Sequence, residues 1–426
     1  MQLSFLKTIK RTPLFKVASL NSVSVILKIA IGVITSKVMA VFIGPSGLAL
    51  TGNLKNFLTS VESIATLGFQ NGIVKYVVDA KNDDAALKKI LSTVFLSLLV
   101  VSVVLSTFLF GFSHYLTLMI FGSSWNYSIV FKILALILPW YASTTYLIVI
   151  LNGLGKFRKV IYVNILGNII GLLFCIGAVY YYKTFGALLS IIVPPSLLFF
   201  VAFYYVNKEI SFLENISQRC FDWKVLRNLS SYSLMALVSS VFGSLVFLAI
   251  RNNIIEVLGI ESAGYWEAMT RISNYYLMFI STILTVYFFP KLAFSTTKKA
   301  VQNVVKSYYF TVVPMYVVGV VILFFLRRFF IQLFFTKAFL PVADLFFWQL
   351  FGDTFKVASL ILGYQFYAKK LTVAFICTEL FSLLLMFSFS HFFIINYGIV
   401  GVVMAHTLTY FIYLIVLLLY FRKSLF

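Results

Sequence analysis

The sequence predicts an all-α, polytopic membrane protein with about 12 transmembrane helices. Of the 426 residues, 61% are hydrophobic and 11% are charged, and the mean hydropathy is +0.99. Soluble domains carry about 25% charged residues, whereas helices that face lipid need far fewer. Because a bilayer core about 30 Å thick takes roughly 20 apolar residues per helix, such helices would occupy well over half of the chain and leave short loops.

Apolar runs bounded by polar residues, glycine or proline mark the individual helices. In chain order they are 17–41, 47–69, 89–112, 129–152, 160–182, 186–206, 231–253, 262–288, 304–326, 340–366, 371–393 and 398–421. The stretch 112–128 is too short to cross and is predicted to lie at the membrane interface. The longest polar link, 207–230, is predicted to be a cytoplasmic linker between an N-terminal lobe of six helices, 1–206, and a C-terminal lobe of six, 231–426.

The distribution of basic residues predicts that both termini lie in the cytoplasm. With that orientation, 22 of the 34 basic residues fall in cytoplasmic segments, and four fall in the opposite loops, namely Lys183, Arg327, Arg328 and Lys337. Cytoplasmic loops are enriched in lysine and arginine, so this ratio favours an even number of spans.

An even number of spans gives both lobes the same orientation, as in a parallel internal repeat. A short echo fits such a repeat. The sequence IGPSGLA, which begins at Ile43, resembles the sequence GIESAGY, which begins at Gly259.

Several kinds of chemistry are disfavoured by the sequence. The three cysteines, Cys175, Cys220 and Cys377, have neither metal-ligand nor CxxC spacing, which argues against a zinc site or a disulfide. The net charge of +21 is interrupted by long apolar runs, so nucleic acid is not expected as a partner. The sequence has no phosphate-binding loop of the GxxxxGKS or GxxxxGKT type and no nucleophile–base pair, so we expect no ATP-driven step, no enzyme activity and no cofactor.

Charged residues also lie within the predicted spans or at their ends. The cations outnumber the acids: Lys28, Lys37, Lys55, Lys132, Arg251, Arg271, Lys306 and Lys356 stand against Glu62, Glu267, Asp353 and Glu379. A charge at mid-bilayer costs about 2.5–3.5 kcal/mol even on lenient scales, so each should face a cavity or a partner. A positive interior selects for an anion such as phosphate or pyrophosphate.

Spacing along the helices predicts partners for some of these charges. Glu267 and Arg271 are four residues apart, and Asp353 and Lys356 are three apart, with Gln349 on the same face as Asp353. Each pair can therefore neutralise itself, either as a structural ion pair or as part of a functional site.

Other charges have no acid nearby in the sequence. Lys28 lies near the middle of its span and is the most costly charge unless it faces water or an anion. Lys37 is predicted to snorkel to the membrane surface. His406 is deep in its span and is expected to be a satisfied core histidine rather than a proton relay.

On the second predicted helix, polar residues recur every three or four positions: Thr51, Lys55, Thr59, Glu62 and Thr66. This spacing places them on one helix face. The face is either a hydrated wall or a helix seam joined by hydroxyl groups.

Three motifs carry a resemblance to a known family: FIGPSGLAL from Phe42, NGIVKY from Asn71 and WQLFGDTFKV from Trp348. With these motifs and its 12-helix layout, over about 21–421, the chain resembles the polysaccharide lipid flippases. These are the O-antigen and enterobacterial-common-antigen translocases of the multidrug/oligosaccharidyl-lipid/polysaccharide exporter superfamily.

The resemblance implies two six-helix lobes around a central cationic cavity in the bacterial inner membrane. The implied substrate is an undecaprenyl-pyrophosphate-linked oligosaccharide, which such proteins flip to the periplasmic leaflet by alternating access. The implied substrate-binding residues are Lys28, Lys55, Arg251 and Arg271. Coupling to protons or another cation would use Glu62, Glu267 or Asp353, with Lys37, Lys356 and Glu379 as secondary candidates.

Three other functions remain open. A lipid II flippase has the same charge requirement. A drug/cation antiporter of the same superfamily would need an acidic cavity, contrary to the excess of cations. A membrane polysaccharide polymerase or ligase usually carries a large periplasmic loop, whereas the outer loops predicted here are short.

Overall fold

The computed structural model describes residues 13–81, 83–123, 126–295 and 297–425, and in these ranges the chain forms helices joined by short turns, with no β-strand. Ten of the described helices are long and apolar enough to cross a membrane. In chain order, α1 to α10 are Val23–Ala65, Asp84–Gly111, Ser128–Gly153, Phe157–Ile210, Ser233–Leu258, Ile260–Phe294, Lys298–Phe325, Lys337–Ala368, Thr372–Tyr397 and Ile399–Tyr420. The predicted all-α membrane fold is confirmed.

Two of these helices, α1 and α4, each account for two crossings. They have 43 and 54 residues, so at about 1.5 Å per residue each is at least twice as long as a bilayer core is thick. Each is also interrupted by one residue outside the helical region, Gly44 in α1 (φ 61°, ψ −167°) and Lys183 in α4 (φ 50°, ψ −125°). The ten helices therefore supply the 12 crossings that the apolar runs predict.

Four of the turns between crossings depend on a single residue with positive φ. These residues are Gly44, Lys183, Gly259 between α5 and α6, and Gly398 between α9 and α10. Gly44 follows the first crossing and Gly259 follows the seventh. Lys183 follows the fifth crossing and Gly398 follows the eleventh. The turns thus fall at equivalent places in the two halves of the sequence, and the IGPSGLA/GIESAGY echo lies on the first pair.

Two of these turns, in α4 and between α9 and α10, are followed three residues later by a glycine. A Cβ at Gly186 would overlap the carbonyl group of Ala178, and a Cβ at Gly401 would overlap that of Phe393. The backbones of the paired crossings therefore approach closely just after the turn, which requires glycine at both positions.

Shorter elements connect the membrane helices. The α-helices Gln70–Asp79, Ser113–Phe121 and Arg327–Phe334 lie between them. The second of these falls in the stretch predicted to lie at the membrane interface, and that location stays a prediction. The first part of α8, Lys337–Leu345, is a 3₁₀ helix that contains Pro341, which cannot donate a backbone hydrogen bond.

The chain divides into two compact units. Unit 1 comprises the residues up to Thr35 together with Leu54–Val241, and unit 2 comprises Ser36–Asn53 together with Phe242–Phe426. Residues 36–53, which include the turn at Gly44, therefore pack with the C-terminal part of the chain. The two predicted six-helix lobes, with a linker at 207–230, stay a prediction.

Within unit 1, the segment after α4 is attached to α2 by buried hydroxyl groups. Ser92 Oγ donates to the carbonyl oxygen of Asn215 (3.1 Å) and accepts from the amide of Ser217 (3.0 Å). Thr93 Oγ1 accepts from the amide of Asp222 (3.0 Å). This part of the predicted linker therefore follows a path fixed by hydrogen bonds.

Candidate functional site

Three charged residues of unit 2 form a buried ion triad centred on Glu267. Arg251 Nη2 lies 2.6 Å from Glu267 Oε2, and Arg271 Nε lies 2.9 Å from Glu267 Oε1. The side chains of Arg251 and Glu267 are 1% and 5% exposed, whereas that of Arg271 is 11% exposed. The predicted pair of Glu267 and Arg271 is confirmed, and the structure adds Arg251 from the preceding helix, α5.

Residues 36–53 complete the surroundings of the triad. Arg271 Nη2 donates to Thr51 Oγ1 (3.0 Å), and Arg251 Nη1 donates to Asn53 Oδ1 (3.4 Å). Gly52, between these two partners, leaves space for the guanidinium group, since a Cβ there would lie 2.8 Å from Arg251 Cζ. Residues 51–53 therefore fit the triad. The side chains of Thr51 and Asn53 accept hydrogen bonds from the two arginines, and Gly52 between them has no side chain that would collide with Arg251.

The triad carries a net charge of +1, because two guanidinium groups share one carboxylate. The Arg251 guanidinium lies 5.1 Å from the centroid of the Trp266 ring, a cation–π contact that further encloses it. Arg251 therefore cannot reach a ligand without opening this packing, whereas the Arg271 guanidinium is partly accessible. Contact of either arginine with a substrate stays a prediction.

A second polar centre of unit 2 surrounds Asp353 on α8, which is fully buried. Its Oδ2 atom accepts hydrogen bonds from Ser273 (2.5 Å) and Tyr276 (2.5 Å) on α6 and from the amide of Gln349 (3.1 Å). Its Oδ1 atom lies 2.9 Å from His406 Nε2 on α10. Four polar neighbours from three helices thus supply the contacts that a buried carboxylate requires.

In the described part of the chain, His406 is the basic side chain in direct contact with Asp353. The ammonium group of Lys356 lies 5.0 Å from the centroid of the Tyr410 ring. The half-buried carboxylate of Glu379 on α9 interacts electrostatically with Lys356. The predicted pair of Asp353 and Lys356 also interacts electrostatically, whereas the direct contact of the carboxylate, at 2.9 Å, is with His406 from a different helix.

Glu62 on α1, the acid candidate in unit 1, is half-buried and has two hydroxyl partners. Tyr141 Oη donates to its Oε2 atom (2.9 Å), and Thr145 Oγ1 donates to its Oε1 atom (3.3 Å). The two donors are one turn apart on α3. Both partners are neutral, so the hydrogen bonds hold the carboxylate in place without balancing its charge.

The polar residues of the second crossing do not share one environment. Thr51 and Thr66 are buried, whereas Lys55 and Thr59 are exposed. Lys28, which precedes them on α1, is also exposed and belongs with Lys55 to unit 1. The predicted polar face of the second crossing is therefore buried at Thr51 and Thr66 and exposed at Lys55 and Thr59.

Lys37 has two backbone partners in the structure, and its predicted reach to the membrane surface stays a prediction. Its ammonium group, in unit 2, donates to the carbonyl oxygens of Gln332 (2.7 Å) and Phe335 (2.5 Å). These carbonyls lie at the end of the helix Arg327–Phe334, where backbone acceptors lack intrahelical partners and a positive charge is favourable. Lys37 therefore caps this short helix.

We expect Lys37→Met to lower the free energy of unfolding by about 1 kcal/mol, because it removes a charged donor from a helix end. Thermal unfolding of the purified protein in detergent measures this as a lower Tm. Lys132→Met is the matched control, since Lys132 is an exposed lysine on another membrane helix. Equal Tm values for the two variants would contradict the capping role.

Sequence reasoning missed Ser273, Tyr276 and Tyr410 as parts of these centres. Ser273 and Tyr276 are three residues apart on α6 and so share a helix face, which is a signal that spacing could have supplied. Their partner, Asp353, is 80 and 77 residues away. Helix periodicity alone cannot pair residues across such distances.

Known proteins match this chain over most of its length. The family model described as polysaccharide biosynthesis protein matches residues 14–296. The lipid III flippase of Escherichia coli (strain K12) is 29% identical over 418 residues, which cover 94% of this chain and 96% of that protein. The lipid III flippase of Shigella flexneri matches to the same extent.

Solved structures share the fold at low sequence identity. An inward-facing multidrug resistance MATE family transporter of the MOP superfamily matches with a TM-score of 0.79 at 12% identity, over 93% of this chain and 94% of that one. A lipid II flippase in an inward closed conformation matches with a TM-score of 0.70 at 18% identity, over 96% and 88%. These matches show a MOP transporter fold, and because the family model covers well over half of the sequence, the chain belongs to the polysaccharide biosynthesis protein family.

Proposed function

We propose that this protein is a flippase that moves an undecaprenyl-pyrophosphate-linked oligosaccharide across the bacterial inner membrane, with both termini in the cytoplasm. The observation that carries the proposal is the similarity to lipid III flippases over 94% of the chain. The fold itself is common to a lipid II flippase and to multidrug transporters. The choice among these substrates therefore depends on the charges of the chain.

Those charges favour an anionic substrate. The triad keeps one positive charge in excess, with Arg271 as its partly accessible member. Lys28 and Lys55 are exposed on an apolar helix. Guanidinium and ammonium groups bind pyrophosphate oxygens through charge-assisted hydrogen bonds, whereas they repel a cationic drug. Arg251 then serves to hold Glu267 and Arg271 in position.

The proposed mechanism is alternating access. Lys28 and Lys55 in unit 1 and Arg271 in unit 2 are each proposed to bind pyrophosphate oxygens during the cycle. The glycan passes through water, and the polyprenyl chain stays in the lipid. A proton or another cation moving down its gradient supplies the driving force. Glu62 and Asp353 are the stronger candidates for this coupling, because Glu267 is already balanced by two guanidinium groups.

The test uses an Escherichia coli strain that lacks its own lipid III flippase. The wild-type chain is expected to restore the surface glycan. Lys28→Ala and Lys55→Ala are each expected to reduce the restored glycan about tenfold or more, which corresponds to at least about 1.4 kcal/mol of lost interaction. Lys132→Ala and Lys306→Ala, which change exposed lysines elsewhere, are the controls and are expected to behave as wild type.

Normal glycan levels from well-inserted Lys28→Ala and Lys55→Ala variants would refute the assignment of these lysines. The same strain separates the alternative functions. A polymerase or ligase would change glycan chain length without relieving the accumulation of the lipid-linked unit, and a drug antiporter would raise drug resistance instead. Growth of cells depleted of their lipid II flippase would identify a lipid II flippase.

A further inference from the structure

Asp353 and His406 place an acid beside a base inside helices that cross the membrane. Asp353 is 0% exposed and His406 is 6% exposed, and the carboxylate oxygen and the imidazole nitrogen are 2.9 Å apart. Ionisable groups at this depth are costly, so their presence points to function. Imidazole side chains in general can gain and lose a proton near neutral pH, which uncharged side chains packed between helices cannot do.

The surroundings of Asp353 suit a proton better than a metal ion. Both carboxylate oxygens already face hydrogen-bond donors, from Ser273, Tyr276, Gln349 and His406. Hard cations such as Ca²⁺ and Mg²⁺ need several converging oxygen ligands, whereas two of these four neighbours present nitrogen atoms. No group of three metal-ligating side chains of the His, Cys, Asp or Glu type occurs in the described part of the chain.

Gln349 is placed to serve both protonation states of His406. Its amide nitrogen lies 3.1 Å from Asp353 Oδ2 and 3.3 Å from His406 Nε2. When Nε2 carries a proton, it donates to Asp353 Oδ1, and the amide donates only to Oδ2. When Nε2 has no proton, its lone pair accepts the second N–H of the amide. In both states, Nε2 of His406 and the amide nitrogen of Gln349 each have a partner.

Titratable groups face the pair from each neighbouring helix: Tyr276 on α6, Tyr316 on α7, Lys356 on α8, Glu379 on α9 and Tyr410 on α10. The ring centroid of Tyr410 is 4.7 Å from that of His406. The three tyrosines are neutral, and Lys356 interacts electrostatically with the carboxylates of both Asp353 and Glu379. Proton uptake therefore changes the charge of the pair from −1 to 0, and the loaded centre carries no net charge.

From this geometry we propose that Asp353 and His406 form a proton-binding site, with Gln349 as the positioning residue that accommodates both of its states. The site takes the proton whose gradient drives translocation. Only this second statement rests on the proposed flippase function.

The transport test uses the full chain in proteoliposomes with a labelled undecaprenyl-pyrophosphate-linked glycan, with and without an imposed pH gradient. The wild-type protein is expected to flip the lipid faster with the gradient. His406→Gln keeps a hydrogen-bond donor but cannot bind a proton, so we expect it to lose this acceleration. His391→Gln, an exposed histidine on α9, is the matched control and is expected to keep the acceleration.

The outcomes distinguish the two proposals. Acceleration that persists in His406→Gln, or a wild-type protein that flips without any response to the gradient, overturns the driving role of the site. A wild-type protein that flips no lipid under either condition refutes the proposed function instead.

Proton binding itself is measured without any substrate. The chain has three histidines, so the double variant His114→Gln/His391→Gln leaves His406 as the only one, and both replaced residues are exposed. In ¹⁵N-histidine NMR of this variant in lipid, we expect the imidazole to change between its neutral and charged forms as the pH is varied, and Asp353→Asn to shift that change. A single form, neutral or charged, at every pH tested would overturn the proton site.

Discussion

Replacing Glu267 with alanine is expected to lower the free energy of unfolding by about 3–5 kcal/mol. The substitution leaves Arg251 and Arg271 together without their counter-charge, and Arg251 is 1% exposed, so water cannot solvate it. Removing one partner of a buried ion pair typically has an effect of this size. Thermal unfolding of the purified protein in detergent is expected to show a large drop in Tm, together with reduced insertion in cells.

A double variant separates electrostatic repulsion from lost packing. In Glu267→Gln/Arg251→Met, an apolar side chain of similar length replaces the buried guanidinium, so we expect most of the lost stability to return. Arg271 then keeps its hydrogen bond to Thr51 (3.0 Å). If Glu267→Ala were as stable as wild type, the triad would have no structural role.

Gly264→Ala is expected to have an effect of about 3 kcal/mol, the second largest. Gly264 lies on α6 where this helix touches residues 36–53, and an added Cβ would overlap the carbonyl oxygen of Pro45 and lie 2.5 Å from its carbonyl carbon. Both neighbours are backbone atoms, which cannot move aside as a side chain can. Overfilling a packed contact typically costs about 1–3 kcal/mol, and a clash with backbone belongs at the upper end.

The matched controls are Gly319→Ala and Gly363→Ala, since a Cβ at either position would meet no atom within 4 Å. Both lie inside helices, where alanine is favoured over glycine by about 1 kcal/mol. We therefore expect these controls to unfold at the same Tm as wild type or higher, and Gly264→Ala to unfold well below it. Equal Tm values for all three variants would contradict the close approach at Pro45.

Features that depend on neighbouring positions along one helix could be predicted from the sequence. The crossings follow from apolar runs of bilayer length, and the Glu267–Arg271 pair follows from a spacing of four residues. Both require only the helix geometry and a count of residues. The number and order of the membrane crossings can therefore be predicted from the sequence alone.

Features that depend on contacts between helices could not be predicted in this way. His406 reaches Asp353 across 53 residues of sequence, and Lys37 reaches the carbonyl of Gln332 across 295. Nothing in one sequence tells which helix faces which, so each of these two side chains was given a local interpretation. The interpretation of Lys37 lacked the two carbonyl groups that its ammonium group contacts, and that of His406 lacked its carboxylate partner.

The four single-residue turns have a consequence for how the chain enters the bilayer. A pair of crossings joined by Gly44, Lys183, Gly259 or Gly398 has almost no loop to carry through the hydrocarbon, where unpaired backbone groups are costly. Each pair can therefore be inserted as a preformed hairpin, with its tip leading. Eight of the 12 crossings can enter in this way, two hairpins from each half of the sequence, and Lys183 is the one charged residue among the four turn residues.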